Sequence, residues 1–428
     1  MAHTANRAQQ HTPAPAGQPA AAPAVPATPA GHPPALPDYP RARIPTKPVL
    51  SRASFGGGGH APSILDVREA RLVTSGRVAI ALALRQMGVG AGDRVLVPSY
   101  HCASMIEPVV WLGATPVFYR IHGDTQVNLD DVAAKLAGAK VLLATNYFGF
   151  PQNLSALRAF CDQHGLMLLE DCAHCFLGEH NGQPVGSFGD YAIASTMKFF
   201  PIYEGGCLVS ARHSLAPVRL EAGGFRFEAK MAVNAFEDGF EYKRLRSVQR
   251  LLALPLGLKN FVLGQLKRRG KGAPPAMAPR SSEGGFGFDP AWLHKRGSLF
   301  TRLMLRLVSR GRMGALRRRH YQRLQAALAG LPGCRPLHAA LPERVYPWVF
   351  PLYVERPEPV FDSLKRDGVP IVRFAEFLWQ GVDASVCSAS AELSRHVLQF
   401  PCHQELQEQE LDWMIDQIKA ALLAARAP

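Results

Sequence analysis

At 428 residues, with hydrophobic residues at 47% and charged residues at 19%, the chain has enough apolar material for a sizeable core and room for two domains. No stretch approaches the ~18 consecutive apolar residues of a membrane span, and no signal peptide is recognised, so a soluble, cytoplasmic protein is expected. The net charge of +14 invites a nucleic-acid partner, but no nucleic-acid-binding module accompanies it and the excess lies beyond residue 240, so none is expected.

Residues 1–48 form an Ala/Pro-rich tract that cannot bury enough surface to offset its ordering entropy; a disordered tail is expected there. From residue 49 to 214 the pattern is that of a large α/β domain. Thr74-Ser-Gly-Arg77 leads into a helical pattern at Val78 to Met87, and Gly92-Asp93 turns into a strand at Arg94 to Val97. Helix at Met105 to Leu112, strand at Thr115 to Tyr119, helix at Leu129 to Leu136 and strand at Val141 to Ala144 follow. Helix at Leu154 to His164 and strand at Leu166 to Glu170 complete the series. Alternation of this kind predicts a mostly parallel sheet covered on both faces, with ligands at the carboxyl ends of its strands. Residues 215–298 read as a basic connecting or inserted region. Residues 299–428 read as a smaller α+β domain, with a helical pattern over Leu299 to Leu328, strands at Tyr346 to Val354 and Pro370 to Arg373, and a closing amphipathic helix at Leu411 to Leu423.

Two residues carry the chemical signal. Lys198 follows the apolar run beginning at Tyr191 and precedes the double glycine of Glu204-Gly-Gly206, and Asp171 ends the run Leu166 to Asp171. A lysine on a loop and a carboxylate at a strand end meet the needs of pyridoxal phosphate chemistry: an amine to join the cofactor aldehyde, and an anion to keep a proton on the pyridine nitrogen. Taken singly, either residue is equally a surface lysine or a turn-capping aspartate. The Thr74-Ser-Gly-Arg77 segment makes Ser75, Gly76 and Arg77 candidates for a phosphate cradle at a helix start, though an ordinary Ser/Thr helix cap explains the local sequence as well. Cys172-Ala-His-Cys175 has CxxC spacing, but no second pair accompanies it, and no metal is expected.

In order and spacing these features resemble the DegT/DnrJ/StrS family of pyridoxal-phosphate aminotransferases. The landmarks are Gly88-Val-Gly-Ala-Gly-Asp-Arg-Val-Leu-Val-Pro98, Gly113-Ala-Thr-Pro-Val-Phe118, Glu170-Asp-Cys-Ala-His174, and Val185-Gly-Ser-Phe-Gly-Asp190 followed by Ser195 and Lys198. Leu398-Gln-Phe-Pro-Cys-His-Gln-Glu-Leu406 resembles the family's C-terminal stretch. The Ser195-x-x-Lys198 interval is shorter than the usual pattern. No version of the family's GxNxRM segment is found, and Asn234-Ala-Phe-Glu-Asp-Gly-Phe lies in that region without matching it.

The resemblance implies fold type I (aspartate-aminotransferase-like), with a seven-stranded, mostly parallel sheet in the large domain and a smaller α+β domain. It implies a homodimer that moves an amino group from an amino acid, glutamate by family habit, to a keto-sugar, often nucleotide-linked. An enzyme of the same fold acting on a non-sugar substrate and a non-catalytic cofactor-binding protein are the alternatives. Lys198 becomes the Schiff-base lysine and proton shuttle, Asp171 the partner of the pyridine nitrogen, and His174 a partner of the cofactor's phenolate oxygen. Ser195 joins Ser75, Gly76 and Arg77 around the phosphate. Tyr100 and His101 are both candidates to stack on the ring, with Cys102 at the usual aromatic position. Arg373 is a candidate anchor for a substrate carboxylate. The basic stretches at 243–272 and 302–319 read first as a solvated helical face and a loop. Attraction for a diphosphate substrate and peripheral contact with anionic lipid are the other readings.

Overall fold

The computed structural model describes residues 39–251 and 288–426. Its first half alternates β1 (Glu69–Val73), α1 (Gly76–Gln86), β2 (Arg94–Pro98), α2 (Ala103–Trp111), β3 (Thr115–Tyr119), α3 (Leu129–Ala133), β4 (Ala139–Thr145), α4 (Leu154–His164) and β5 (Met167–Asp171). A small hairpin of β6 (Glu179–His180) and β7 (Gln183–Pro184) leads to β8 (Tyr191–Ala194) and β9 (Gly206–Ser210). Seven strands form one sheet in the order β1-β9-β8-β5-β4-β2-β3. The five strands from β3 to β8 run parallel, whereas β9 is antiparallel both to β8 and to β1.

Successive side chains of a strand point to opposite faces, so a sheet covered on both sides needs nearly continuous apolar runs. Leu96, Leu142, Ala144 and Leu168 face one core, while Val95, Val97, Val141, Leu143 and Leu169 face the other, against α1 and α2. Helix α1 packs so closely that every residue from Gly76 to Leu84 is buried, which the alternate alanines Ala79, Ala81 and Ala83 permit.

The second half contains α5 (Phe225–Glu241), α6 (Arg246–Leu251), α7 (Leu299–Leu307), α8 (Arg310–Leu328), β10 (Cys334–Pro336), β11 (Val349–Val354), α9 (Pro357–Arg366), β12 (Val372–Arg373), α10 (Ser388–His396), β13 (Val397–Pro401) and α11 (Glu408–Ala424). The four strands form an antiparallel sheet in the order β10-β11-β13-β12. Its apolar residues Leu352, Leu398 and Phe400 join the same core as Leu96, Leu142 and Leu168, so the two sheets are not separated by a solvent gap.

Two expectations change. The helical pattern over Leu299 to Leu328 is two helices, because Val308 is extended and the Ser309 hydroxyl accepts from the Arg312 N–H, capping a new helix. Residues 39–48, placed by composition in the tail, lie against the body: the Arg43 N–H donates to the Gly368 carbonyl at 2.8 Å, and Ile44 and Val49 are buried. The remainder of that tail, residues 1–38, lies outside the described residues, as does the basic stretch from 252 to 287. Within the described residues no helix is long and apolar enough to cross a membrane.

Candidate active site

A cleft opens where the carboxyl ends of β5 and β8 meet the start of α1. Gly76, Arg77, Asp171, His174, Ser195 and Lys198 line it, so residues spread over 123 positions of sequence converge there (198 − 76 + 1 = 123). Parallel pairing of β5 with β8 accounts for part of this: Asp171 is the partner of Ile193, only a few residues before the turn Thr196–Lys198.

Lys198 ends that single 3-10 turn between β8 and β9, whose Phe199 and Phe200 are fully buried and leave the turn no freedom to swing outward. Burial lowers the Lys198 pKa, while nearby Cys102 and Asp171 oppose the change by favouring the ammonium. Its Nζ lies 4.5 Å from the centroid of the Trp348 ring. Asp171 is buried, accepts from the Ala173 N–H at 2.8 Å, and has its pKa pushed up to about 6, chiefly by desolvation. Preceding it, Glu170 faces the other way and accepts from the N–H groups of Gly186, Phe188 and Gly189.

His174 sits between rings, stacked on Trp348 at 4.0 Å and on Phe148 at 6.1 Å, with Phe374 edge-on at 4.9 Å. Desolvation drives its pKa well below the ordinary range, so it is neutral at physiological pH, and its buried Nδ1 has no hydrogen-bond partner. The Ser195 Oγ is likewise buried without a partner. It lies beside the start of α1, where a methyl on Gly76 would come 3.4 Å from the Ser195 Cβ. Ser75 caps α1, its hydroxyl accepting from the Val78 N–H at 3.2 Å, and stands just outside the cleft lining. Arg77 is buried in the first turn with its Nε 3.4 Å from the Glu107 carboxylate.

The cleft lining at the end of β2 is Cys102 and not the two aromatic candidates beside it. Tyr100 is packed in an aromatic group with Tyr147, Phe148 and Phe374. Both nitrogens of His101 are engaged: Nδ1 with the Pro98 carbonyl at 3.0 Å, and Nε2 with the Trp379 N–H at 2.9 Å. Its ring stacks on Phe118 at 4.9 Å. Neither residue therefore lines the space where a ring would lie. Arg373 is also elsewhere, over the Phe361 ring at 4.6 Å and 3.9 Å from Glu358.

Residues the sequence reading passed over complete the walls: Met105, Thr145, Ile193 and Phe374 line the cleft, and Trp348 backs it. Behind the lysine, Arg317 is wholly buried, although its run of three arginines reads as a solvated helical face. Its Nη2 donates to the Lys198 carbonyl at 3.1 Å, Nη1 to the Trp348 carbonyl at 2.9 Å, and Nε to the Gln404 Oε1 at 3.0 Å. Helical geometry turns each residue by about 100°, so three adjacent arginines cannot share one face. Arg318 and Arg319 remain nearer the surface, on the Pro342 carbonyl and on Glu408.

Cys172 and Cys175 are buried free thiols; Cys172 donates to Glu170, and Cys175 faces the Gly149 carbonyl. Among the described residues no group of three or more His, Cys, Asp or Glu side chains is arranged to hold a metal.

Comparison with known proteins places this geometry. Residues 63–231 match the model of the DegT/DnrJ/EryC1/StrS aminotransferase family. GDP-perosamine synthase of Vibrio cholerae is 39% identical over 153 residues, which are 34% of this chain and 41% of that protein. The dTDP-4-dehydro-2,3,6-trideoxy-D-glucose 4-aminotransferase of Saccharopolyspora spinosa is 33% identical over 156 residues, covering 36% and 40% respectively. The chain spans less than half the length of each of these curated relatives in the match. The fold extends further: a candidate sugar aminotransferase of Streptococcus pneumoniae, in its PLP form, superposes with a TM-score of 0.62 over 90% of this chain and 100% of that one at 17% identity. An aminotransferase of Psychrobacter cryohalolentis does so at 0.58, with 18% identity and coverage of 85% and 89%.

Proposed function

Since residues 63–231 of this chain match the DegT/DnrJ/EryC1/StrS aminotransferase family, we propose that it is a pyridoxal-phosphate-dependent aminotransferase. It takes an amino group from an amino acid, glutamate being the expected donor, and delivers it to a keto-sugar, nucleotide-linked in the primary reading. The observation that carries this reading is the convergence of Lys198 and Asp171 on one cleft beside the start of α1. The sugar acceptor rests on the named activities of the relatives in GDP- and dTDP-linked sugar metabolism.

The residues present fit the cofactor. Two buried polar atoms, the His174 Nδ1 and the Ser195 Oγ, have no protein partner and belong to residues lining the cleft. The first turn of α1 offers backbone N–H groups to an anion, and glycine at position 76 keeps that approach open. Ser195 and the α1 start would hold the phosphate, Asp171 the pyridine nitrogen, and Lys198 the aldehyde carbon.

When bound, pyridoxal phosphate supplies the aldehyde that carries the amino group and the ring that accepts electrons from the breaking bond. Asp171, with a pKa of about 6 before any ligand binds, is largely ionised at neutral pH and can stabilise a proton on the facing nitrogen. Lys198, its pKa lowered by burial, can receive a proton from the substrate carbon at its Nζ and return it to a carbon two bonds away. The aromatic wall of Phe374, Phe148 and Trp348 keeps that transfer away from bulk water. The working unit in this reading is a homodimer, which sedimentation velocity checks.

Purified protein mixed with pyridoxal phosphate is expected to develop visible absorption that Lys198→Ala cannot form. Glutamate is expected to discharge it with release of 2-oxoglutarate. Absorption that survives intact in Lys198→Ala would sink the assignment. Loss of absorption with another amino acid but not with glutamate would change the donor only.

A further inference from the structure

Lys198 and Trp348 are tied together twice. Through their backbones, one guanidinium holds both: Arg317 donates from Nη2 to the Lys198 carbonyl at 3.1 Å and from Nη1 to the Trp348 carbonyl at 2.9 Å. Through their side chains, the lysine Nζ stands 4.5 Å from the centre of the indole. The indole stacks on His174 at 4.0 Å, and the Trp348 backbone N–H donates to the Phe148 carbonyl at 2.8 Å, which fixes the main chain that carries the ring. An ammonium over an indole face is stabilised by the ring quadrupole, most strongly where water is scarce. A neutral amine gains nothing comparable.

We propose that Trp348 is the resting place of the Lys198 ammonium once the released lysine has taken up a proton, and that Arg317 is the positioning residue that keeps ring and lysine in register. This rests on the assignment of Lys198 as the cofactor lysine. The device answers a difficulty in that assignment. A lysine that leaves the cofactor during each half-reaction must be kept near and oriented in a poorly solvated wall, and the charge it gains on taking up a proton must be stabilised there. Among the described residues Asp171 at the end of β5 is the one carboxylate lining the cleft, and in the proposed function it serves the ring nitrogen. The other groups facing this space are Cys102 before α2, His174 after β5 and Arg77 on α1; none of them is an anion committed to Lys198. The Trp348 face supplies the ammonium with a partner that carries no charge and takes up no proton.

Arg317 is suited to its part because it is wholly buried and holds four acceptors: the Lys198, Pro347 and Trp348 carbonyls and the Gln404 side chain. Gln404 in turn donates to the Phe199 carbonyl at 2.8 Å, so the turn carrying Lys198 is fastened at two successive residues to the wall carrying Trp348.

The test reads the lysine directly. In the full chain freed of cofactor, the pH dependence of reductive methylation at Lys198, followed by peptide mass, gives the midpoint at which the amine becomes neutral. Trp348→Leu is expected to lower that midpoint by about one pH unit, since the ammonium loses its face. Trp348→Phe, with a weaker face, is expected to fall between leucine and wild type. Arg317→Lys is expected to shift it in the same direction by releasing the register. A merely structural role would lower the melting temperature and leave the midpoint alone. A folded Trp348→Leu protein with the wild-type midpoint overturns the proposal. If that variant does not fold, a folded Arg317→Lys protein with the wild-type midpoint does so instead. Because no cofactor takes part, failure here leaves the aminotransferase assignment standing; that assignment fails separately, on the absorption of Lys198→Ala.

Discussion

Gly206 lies against Ser75 so closely that a methyl on Gly206 would stand 2.4 Å from the Ser75 carbonyl carbon and 2.7 Å from the Gly76 nitrogen. Strand β9 thereby presses on the very turn that begins α1 and faces the cleft. The atoms in the way are backbone, which cannot rotate aside. Gly206→Ala is expected to cost about 1–3 kcal/mol of stability by overpacking and to weaken pyridoxal phosphate binding more than that loss explains. Chemical denaturation and cofactor titration of the same preparation separate the two. Full cofactor affinity in a destabilised variant would detach the α1 start from phosphate binding.

Asp171 links stability to pH. Its folded pKa of about 6 exceeds the ordinary aspartate value of 3.8, so between those values the folded state holds a proton the unfolded state has lost. Stability from this group is therefore complete below about pH 4, falls as pH rises towards 6, and stays reduced above it. Two pH units correspond to about 3 kcal/mol. Asp171→Asn in cofactor-free protein is expected to remove that downward component, leaving the variant more stable than wild type at pH 7. Its cofactor affinity is expected to fall by an order of magnitude or more. Parallel stability curves for the two proteins between pH 4 and 7 would refute the linkage.

His174 is held by packing and leaves one nitrogen unused in the protein alone. An apolar ring in its place removes an unsatisfied buried group, whose burden is about 1–3 kcal/mol. His174→Phe is accordingly expected to fold with an equal or higher melting temperature. The bound cofactor's absorption maximum is expected to move, because the hydrogen bond from position 174 is gone. An unmoved spectrum would place His174 outside the cofactor's surroundings.

Glu170 is a scaffold residue one position from the chemistry. It is wholly buried and collects N–H donors from Gly186 at 2.7 Å, Phe188 at 3.3 Å and Gly189 at 3.4 Å, as well as the Asn146 amide. Glu170→Ala strands these donors and is expected to cost about 3 kcal/mol or more, seen as a lower urea midpoint. A midpoint unchanged from wild type would mean that water replaces the carboxylate.

The alternating helices and strands from α1 to β5 were legible because each is local: period, Gly and Pro marks, and continuous apolar runs wherever both faces are covered. Strand β9 was not read as part of the sheet, since five residues after a turn carry no sign of which strand they will join. Lys198, Asp171, His174, Ser195 and Gly76, singled out from residue type, order and the family resemblance, all line one cleft. Tyr100 and His101 show the limit of that method. An aromatic next to the right position is chemically plausible, but strand alternation and the bond from the Trp379 N–H to His101 turn those rings to other work. Arg373 was chosen for its chemistry alone and lies over Phe361.

What the sequence determined by itself was the set of chemical parts, because an amine, a carboxylate and a hydroxyl declare their chemistry wherever they stand. Tertiary structure alone decided their surroundings. Trp348 and Phe374 reach the site from the second half of the chain, more than a hundred positions beyond Lys198 (348 − 198 = 150). Arg317 passed from a basic run to a fully buried side chain behind the lysine. Long-range packing fixes which face of a helix is dry and which ring covers which amine, and no pattern within either segment records that choice.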